Sequence, residues 1–119
     1  MSEVTSIVEY ESTYTITELD TIETLLEITD VKIFFVEGYI DLSNMTSDIT
    51  ITIYEDIKIH ETGEYKTLNE QVITYDMVRD KPLLRFTSKL AKYGYRIQII
   101  QSGGSPISIP YYFAKFEVG

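Results

Sequence analysis

The side chains that most often carry out catalysis are almost absent from this chain. His60 is the only histidine, and there is no cysteine among the 119 residues. A nucleophile usually requires a neighbouring base, most often histidine, and no G-x-S-x-G turn is present. Metal sites built from histidine and cysteine are excluded by the same composition. We therefore expect no enzymatic activity, no cofactor and no metal, and we assign His60 to the solvent-facing side of a strand.

One loop, "DLSNMTSD" from Asp41 to Asp48, contains oxygen-bearing side chains of the kind that bind hard cations. Calcium takes about six or more oxygen ligands, and the spacing of Asp41, Asn44 and Asp48 matches no known calcium loop. Aspartate and asparagine also bond to backbone groups two residues further along the chain. We therefore predict a turn held by these bonds rather than an ion site.

Tyrosine is in excess, with 10 residues in the chain. Tyr93, Tyr95, Tyr111 and Tyr112 cluster near the C-terminus. A tyrosine buries its ring while its hydroxyl stays hydrated, which suits both core margins and protein interfaces. An exposed row of such rings could also stack on sugars. The sequence leaves open a core margin, a protein interface and a sugar-binding platform.

The charge balance excludes some classes of partner. The chain has 19 acidic and 10 basic residues, a formal net charge of −9. Such a field repels phosphate backbones, and the most basic stretch, Lys81–Lys92, is interrupted by apolar residues. We therefore expect no nucleic-acid binding. We also expect no membrane association, because no stretch approaches the roughly 20 apolar residues of a membrane span, and no secretory signal, because the first residues are acidic.

The hydrophobic pattern has a period of two, which predicts strands. Turn signals separate the segments, with a hairpin at Glu61–Glu64 and a second at Ser102–Pro106 between the last two strands. The sequence therefore predicts an all-β, single-domain antiparallel β-sandwich of about eight strands, with a jelly roll as one arrangement. The predicted segments are Val4–Leu19, Thr24–Thr29, Val31–Leu42, Ile49–Ile59, Tyr65–Tyr75, Leu83–Thr87, Tyr95–Gln101 and Ile107–Val118, and the only helical candidate is a turn at Ser88–Lys92.

The segment Ile49–Ile59 places isoleucine at every odd position except Glu55. One interpretation is a bend or β-bulge at Glu55 and Asp56, with both carboxylates near solvent. The alternative is an inward carboxylate that protects a sheet edge or pairs with a lysine or arginine across a subunit interface.

The segment Val31–Leu42 is apolar on both faces in its first half, because Val31, Ile33 and Phe35 alternate with the core-facing row that includes Phe34. A strand of this kind is covered on both sides or presents an apolar patch to another molecule. Two covers remain open: the N-terminal segment Val4–Tyr10 or another subunit. Val31, Ile33 and Phe35, with Tyr93, Tyr95, Tyr111 and Tyr112, are our candidate interface residues.

The stretches "GYIDLSNM" (Gly38–Met45) and "YGYRIQIIQSGGSPISIPYYF" (Tyr93–Phe113) resemble small β-sandwich structural proteins of virions, of the decoration or cement type, from archaeal or thermophilic viruses. The resemblance implies a symmetric homo-oligomer without enzymatic activity. It covers the chain from about Leu25 onward, and it assigns no functional residue.

Together these features predict a non-enzymatic structural protein of a larger assembly, and we assign that assembly to a viral capsid. The protein would contact copies of itself and a major shell protein. Residues 1–20 would form an N-terminal arm or added strand, and residues 21–119 the β-sandwich domain. The location would be the virion, assembled in the host cytoplasm. The alternative is a carbohydrate-binding or adhesion module on the surface of a virus or cell.

Overall fold

The segments rich in β-branched and aromatic residues form strands. The computed structural model describes residues 4–118, in which all strand pairing is antiparallel. The strands form one sheet in the order β1-β6-β2-β5-β3-β4. The predictions of an all-β class, a single domain and antiparallel pairing are confirmed. The elements are β1 Val4–Thr15, β2 Glu23–Asp41, β3 Thr50–Lys58, β4 Lys66–Thr74, the short helix α1 Tyr75–Val78, β5 Leu83–Ser102 and β6 Ser108–Val118.

The described residues form six strands rather than about eight because two strands are unusually long. Strand β2 has 19 residues and unites two predicted segments. Strand β5 has 20 residues and does the same, so the helical turn predicted at Ser88–Lys92 is wrong. A typical strand has about 5–6 residues. The register between the two strands shifts between Asp30 and Phe34, where the predicted breaks would lie.

This shift divides the sheet into two halves. Strand β6 pairs with β2 only from Phe34 to Ile40, whereas β3 pairs with β5 only from Gly94 to Ser102. The first half-sheet comprises β1, β6, Phe34–Asp41 of β2 and Leu83–Ala91 of β5. The second half-sheet comprises Glu23–Asp30 of β2, Tyr93–Ser102 of β5, β3 and β4.

One hydrophobic core draws on both half-sheets. Alternate residues of each strand point into it, as the period-two pattern predicts. Full burial of a side chain of this size contributes about 1.5–3 kcal/mol relative to exposure. The predicted rows of β2 and β3 are confirmed for most members, but Ile57 is only half-buried and Ile59 lies exposed beyond the end of β3. The completely buried members include Phe34, Ile40, Ile51, Ile97, Ile99, Ile109 and Phe113.

The two predicted hairpins have different outcomes. Glu61–Glu64 lies in the connection between β3 and β4, which are neighbours in the sheet, so that hairpin is confirmed. Ser102–Pro106 leads from β5 to β6, which are not neighbours, so the second hairpin is wrong. Gly103 adopts a φ of +82°, and a Cβ there would lie 2.0 Å from the backbone oxygen of Asp48. Only glycine fits at this position, where the connection after β5 passes close to the backbone of Asp48.

The carboxylates of Glu55 and Asp56 are buried, so the prediction that both lie near solvent is wrong. Glu55 is 3% exposed and Asp56 is 2% exposed. The predicted bulge is present, but as a register shift between β3 and β4 opposite these residues, while β3 continues unbroken along β5. A buried carboxylate is tolerated only when hydrogen bonds and counter-charges satisfy it.

Glu55 meets this requirement on the core side of β3. The Tyr95 hydroxyl donates to its Oε2 at 2.5 Å, and the Asn69 amide donates to its Oε1 at 2.8 Å. The Lys89 ammonium lies 3.9 Å from the same Oε1. Burial, together with the Glu55 charge, holds the pKa of Tyr95 far above its usual range, so its hydroxyl remains a donor.

Asp56 is satisfied on the opposite face of the sheet. The Arg96 guanidinium donates to its Oδ2 from Nε and lies 3.0 Å away through its terminal nitrogen as well, while Thr67 donates to Oδ1 at 2.9 Å. The Tyr65 ring covers this pair, with its centroid 4.1 Å from the guanidinium carbon. The alternative interpretation, an inward carboxylate that pairs with a lysine or arginine, is therefore correct for Glu55. Its partner Lys89, like Arg96 beside Asp56, belongs to the same chain and not to another subunit.

Candidate assembly interface

The outer face of the first half-sheet carries the largest concentration of exposed apolar side chains in the part of the chain that the structure describes. On β2 the even-numbered residues from Phe34 to Ile40 point into the core. The odd-numbered residues, among them Phe35 and Tyr39, therefore point outward. The outer face was expected to be polar except near Val31, Ile33 and Phe35, and it is more apolar than that.

Four apolar side chains lie directly opposite one another across four strands of this face. Phe35 on β2 is paired in register with Leu90 on β5 and with Phe116 on β6, and Phe116 is paired with Ile7 on β1. Leu90 is 61% exposed, Ile7 57% and Phe35 38%, while Phe116 is half-buried between its neighbours. Because neighbouring strands are about 4.8 Å apart, this apolar row is roughly 15 Å long. Adjacent apolar side chains of this kind form a patch, which is more typical of a protein contact site than single scattered surface residues are.

The apolar row extends along β2 toward the register shift. Ile33 and Val31 are both exposed there. The expectation that Val4–Tyr10 covers this stretch is wrong, because β1 lies at the edge of the sheet and pairs with β6 instead of crossing the face. The second predicted cover, another subunit, stays a prediction.

The structure separates the four candidate tyrosines. Tyr95 lies wholly inside the core. Tyr111 is half-buried and packs against the core near the Phe113 ring. Tyr93 is half-buried at the register shift, with φ +75°, beneath the Lys92 ammonium. Tyr112 alone lies exposed on the outer face. The four therefore do not form one surface.

Tyr112 belongs to a second feature of the outer face, an open cleft of about 390 Å³. Its ring lies opposite Tyr39 of β2. Its hydroxyl donates to Glu9 on β1 at 2.6 Å, and this hydrogen bond raises the pKa of Tyr112. A row containing Glu37, Ala114 and Glu9 separates the cleft from the apolar row.

Three members of the apolar row escaped the sequence analysis for identifiable reasons. Leu90 fell in the stretch misassigned as a helical turn, and Phe116 was read only as part of a terminal strand. Ile7 belongs to Val4–Tyr10, which was one of the two covers left open for this face. A period-two reading of β5 and β6 places Leu90 and Phe116 outward. Their alignment with Phe35 requires the register, which the sequence does not specify.

The remaining sequence candidates have structural roles. The backbone N–H of Ser43 donates to Asp41 Oδ1 at 2.9 Å, which is the predicted side-chain-to-backbone turn. His60 lies exposed in the turn after β3, beyond the strand in which it was predicted. Over residues 4–118 no three acidic or histidine side chains converge as a metal site would require. No helix in that range is long and apolar enough to cross a membrane.

The comparisons with known proteins concern the fold. No family model matches the sequence, and no curated protein matches it. The structure is similar to a chain of the Bacillus endospore appendages, described as disulfide-linked pili, with a TM-score of 0.57 and 13% identity over 96% of this chain and 90% of that one.

A second solved structure is similar, that of infectious bursal disease virus, Gx strain. The TM-score is 0.51 with 9% identity over 98% of this chain and 32% of that one, so this chain spans about a third of the viral chain. The likeness is one of fold. The predicted resemblance to virion proteins thus has a β-rich counterpart of similar fold from a virus, whereas neither neighbour supports an archaeal or thermophilic origin.

Proposed function

We propose that this protein is a non-enzymatic structural subunit that assembles with copies of itself by burying the apolar row. The observation that carries the proposal is the alignment of Leu90, Phe35, Phe116 and Ile7 across four strands, with Phe116 half-buried and the other three side chains exposed. Burial of apolar surface contributes about 25 cal/mol per Å². Because the row lies on paired strands, its backbone is already ordered, which lowers the entropic cost of forming a contact.

The finer assignment is a decoration or cement component of a viral capsid, which would also contact a major shell protein. Support comes from the sequence resemblance to virion proteins of archaeal or thermophilic viruses and from the fold shared with a viral chain. The spore appendages share the fold too, and their name describes disulfide-linked pili. This chain contains no cysteine, so disulfides cannot link its copies. Its acidic surface keeps an assembled particle dispersed.

The fold that we propose for this role is an eight-segment jelly-roll sandwich. If β2 and β5 are each counted as two segments, the first half-sheet has the chain order 1-8-3-6 and the second has 2-7-4-5. This order is that of two Greek keys wound into two facing sheets. The shared core and a smallest dimension of 20 Å support two layers, since stacked sheets lie about 10 Å apart.

We also propose that residues 1–20 act as an exchangeable arm, with β1 of one copy completing the sheet of the next. Strand β1 is an edge strand whose only neighbour in the sheet is β6. The chain becomes anchored after β1, where Ile16 is buried and its N–H donates to Ile107 at 3.0 Å. Exchange of an edge strand between identical subunits preserves every hydrogen bond and so costs little.

Analytical ultracentrifugation of matched variants tests the contact surface. Phe35→Glu and Leu90→Glu place a charge in the apolar row and are expected to shift the protein toward the 13.7 kDa monomer. Val72→Glu adds the same charge at an exposed position on β4 and serves as the control. Equal masses for all four proteins would overturn the proposed surface.

A cysteine pair tests the exchange of β1. The Ser6 hydroxyl donates to Glu117 at 3.0 Å, so Ser6→Cys combined with Glu117→Cys places two thiols next to each other at the free end of β1. Exchange predicts covalently linked multimers after mild oxidation, whereas a β1 that stays in its own subunit gives only an internally bridged monomer. The latter result would remove the arm from the proposal and leave the apolar row standing.

A further inference from the structure

The cleft beside Tyr112 lies outside the apolar row and has the chemistry of a ligand site. It is an open depression of about 390 Å³ where β1, β6, β2 and β5 end together. Small-molecule sites fall mostly between about 300 and 1,000 Å³. Its principal lining residues are Tyr39, Tyr112, Leu83, Pro110, Glu11 and Asp41.

The floor of the cleft is built from exposed rings. Tyr39 and Tyr112 are directly paired across β2 and β6 on the outer face, and both are exposed. Leu83 is exposed beside them, and Pro110 lies half-buried in the same depression. The bond from Tyr112 to Glu9 fixes one ring before any ligand arrives. Two adjacent aromatic rings, one of them held in place, offer an apolar platform of low conformational entropy for a flat ligand.

The rim of the cleft supplies hydrogen-bond acceptors. Glu11 of β1 is paired in register with Tyr112, and Asp41 follows Tyr39 by two residues on β2, so both carboxylates border the rings. The N–H of Ser43 donates to Oδ1 of Asp41 and thereby orients that carboxylate. Ionised carboxylates only accept hydrogen bonds, so the ligand must bring donors such as hydroxyl groups. A pyranose sugar meets both requirements, because its ring has an apolar face and carries hydroxyl donors around its edge.

The charge of the site restricts the class of sugar. Two carboxylates flank the rings and the whole chain has a formal net charge of −9. An anionic sugar placed there would lose hydration and meet charges of its own sign, which costs free energy. We propose that the cleft binds neutral oligosaccharides, with Tyr39 and Tyr112 stacking on the rings and Glu11 and Asp41 accepting from their hydroxyl groups.

Saturation-transfer NMR on the full-length protein tests this site with defined probes. The neutral probes are tetrasaccharides of glucose, mannose and N-acetylglucosamine, and the anionic probe is a tetrasaccharide of galacturonic acid. We expect saturable binding of at least one neutral probe. Tyr39→Ala and Tyr112→Ala are each expected to weaken it by about tenfold, while Tyr39→Phe keeps the ring and stays within about twofold of the wild type.

Two controls separate this site from folding and from assembly. Far-UV circular dichroism verifies that each variant keeps its strands, and the Phe variant remains informative if an Ala variant unfolds. Phe35→Glu, in the apolar row, is expected to leave saccharide binding unchanged. The proposal is overturned by a lack of saturation with all neutral probes, by tighter binding of the galacturonate probe, or by undiminished binding in folded Tyr39→Ala and Tyr112→Ala proteins.

Discussion

Tyr95 and Glu55 form a hydrogen-bonded pair inside the core, with the phenol oxygen 2.5 Å from the carboxylate Oε2. This contact explains why an isoleucine-rich strand contains a carboxylate at its centre. The pair joins β3 to β5, and Asn69 extends it to β4 at 2.8 Å. A satisfied polar cluster within an apolar core fixes strand register, because a one-residue slip would leave the carboxylate without donors.

Removal of the Tyr95 hydroxyl should therefore destabilise the protein although it leaves the ring in place. In Tyr95→Phe the buried Oε2 of Glu55 loses its donor, and we expect the free energy of unfolding to fall by about 1–3 kcal/mol. Urea denaturation measures this change. Tyr54→Phe, at a half-buried position on the same strand as Glu55, is the control and should change the stability little. A Tyr95→Phe protein as stable as the wild type would contradict the role given to the pair.

The same pair gives a prediction for alkaline pH. Burial and the Glu55 charge raise the pKa of Tyr95 above its ordinary value of 10.0. A group with a raised pKa in the folded state contributes its stability fully below the unfolded pKa and loses it as the pH rises through the folded pKa. Wild-type stability should therefore decline above about pH 10 more steeply than that of Tyr95→Phe. Parallel declines in thermal unfolding scans would count against the pair.

An ion pair at the register shift predicts behaviour in acid. Lys115 is buried, and its ammonium lies 2.7 Å from Asp30 Oδ2. The hydrogen bond from Lys115 lowers the pKa of Asp30 below its ordinary value of 3.8. A lowered pKa means that the stability is present above the unfolded pKa and is lost as the pH falls through the folded one. Asp30→Asn should thus be less stable than the wild type at neutral pH, and the difference should shrink below about pH 4. A pH-independent difference would disprove this assignment.

Gly38 is required where β2 pairs with β6. A Cβ at this position would lie 2.3 Å from the backbone oxygen of Tyr112 and 2.5 Å from Phe113 Cδ2. Gly38→Ala must displace the fully buried Phe113 ring or the backbone of β6, which we expect to cost about 1–3 kcal/mol in unfolding free energy. Gly63→Ala is the control, since its Cβ would meet only atoms of His60 in the turn after β3, the nearest being His60 Cβ at 3.2 Å. Equal melting temperatures for the two variants would refute the packing argument.

The sequence predicted the local structure better than the topology. Alternation along β2 and β3 identified Phe34, Ile40 and Ile51 as core residues because period two is a local property. The sequence did not predict that β2 and β5 are each continuous. In the sequence pattern the register shift between Asp30 and Phe34 resembles the end of a strand, although both strands continue through it. Likewise Glu55 was placed near solvent because its partners, Tyr95 and Lys89, lie more than thirty residues away along the chain.

The candidate interface was predicted only in part, because alternation along one strand is local whereas the pairing of strands is not. Ile33 and Phe35 stood out because they follow one another on a single strand, and both are exposed. The apolar row that Phe35 shares with Leu90 and Phe116 exists only through the pairing of three strands. Tyr95 was grouped with the other tyrosines by sequence proximity, yet its position on the inner face of β5 places it in the core.

The most direct test of the central claim is the accessibility of a single thiol in the apolar row. The chain has no cysteine, so Leu90→Cys introduces the only one, at a position that is 61% exposed in the isolated subunit. Val72→Cys, on β4, provides a reference that is 54% exposed. If subunits bury the row, the rate of maleimide labelling at Leu90→Cys falls as protein concentration rises, while the rate at Val72→Cys stays constant. Concentration-independent labelling of both thiols, in a protein that sediments as a monomer, would contradict assembly through this face.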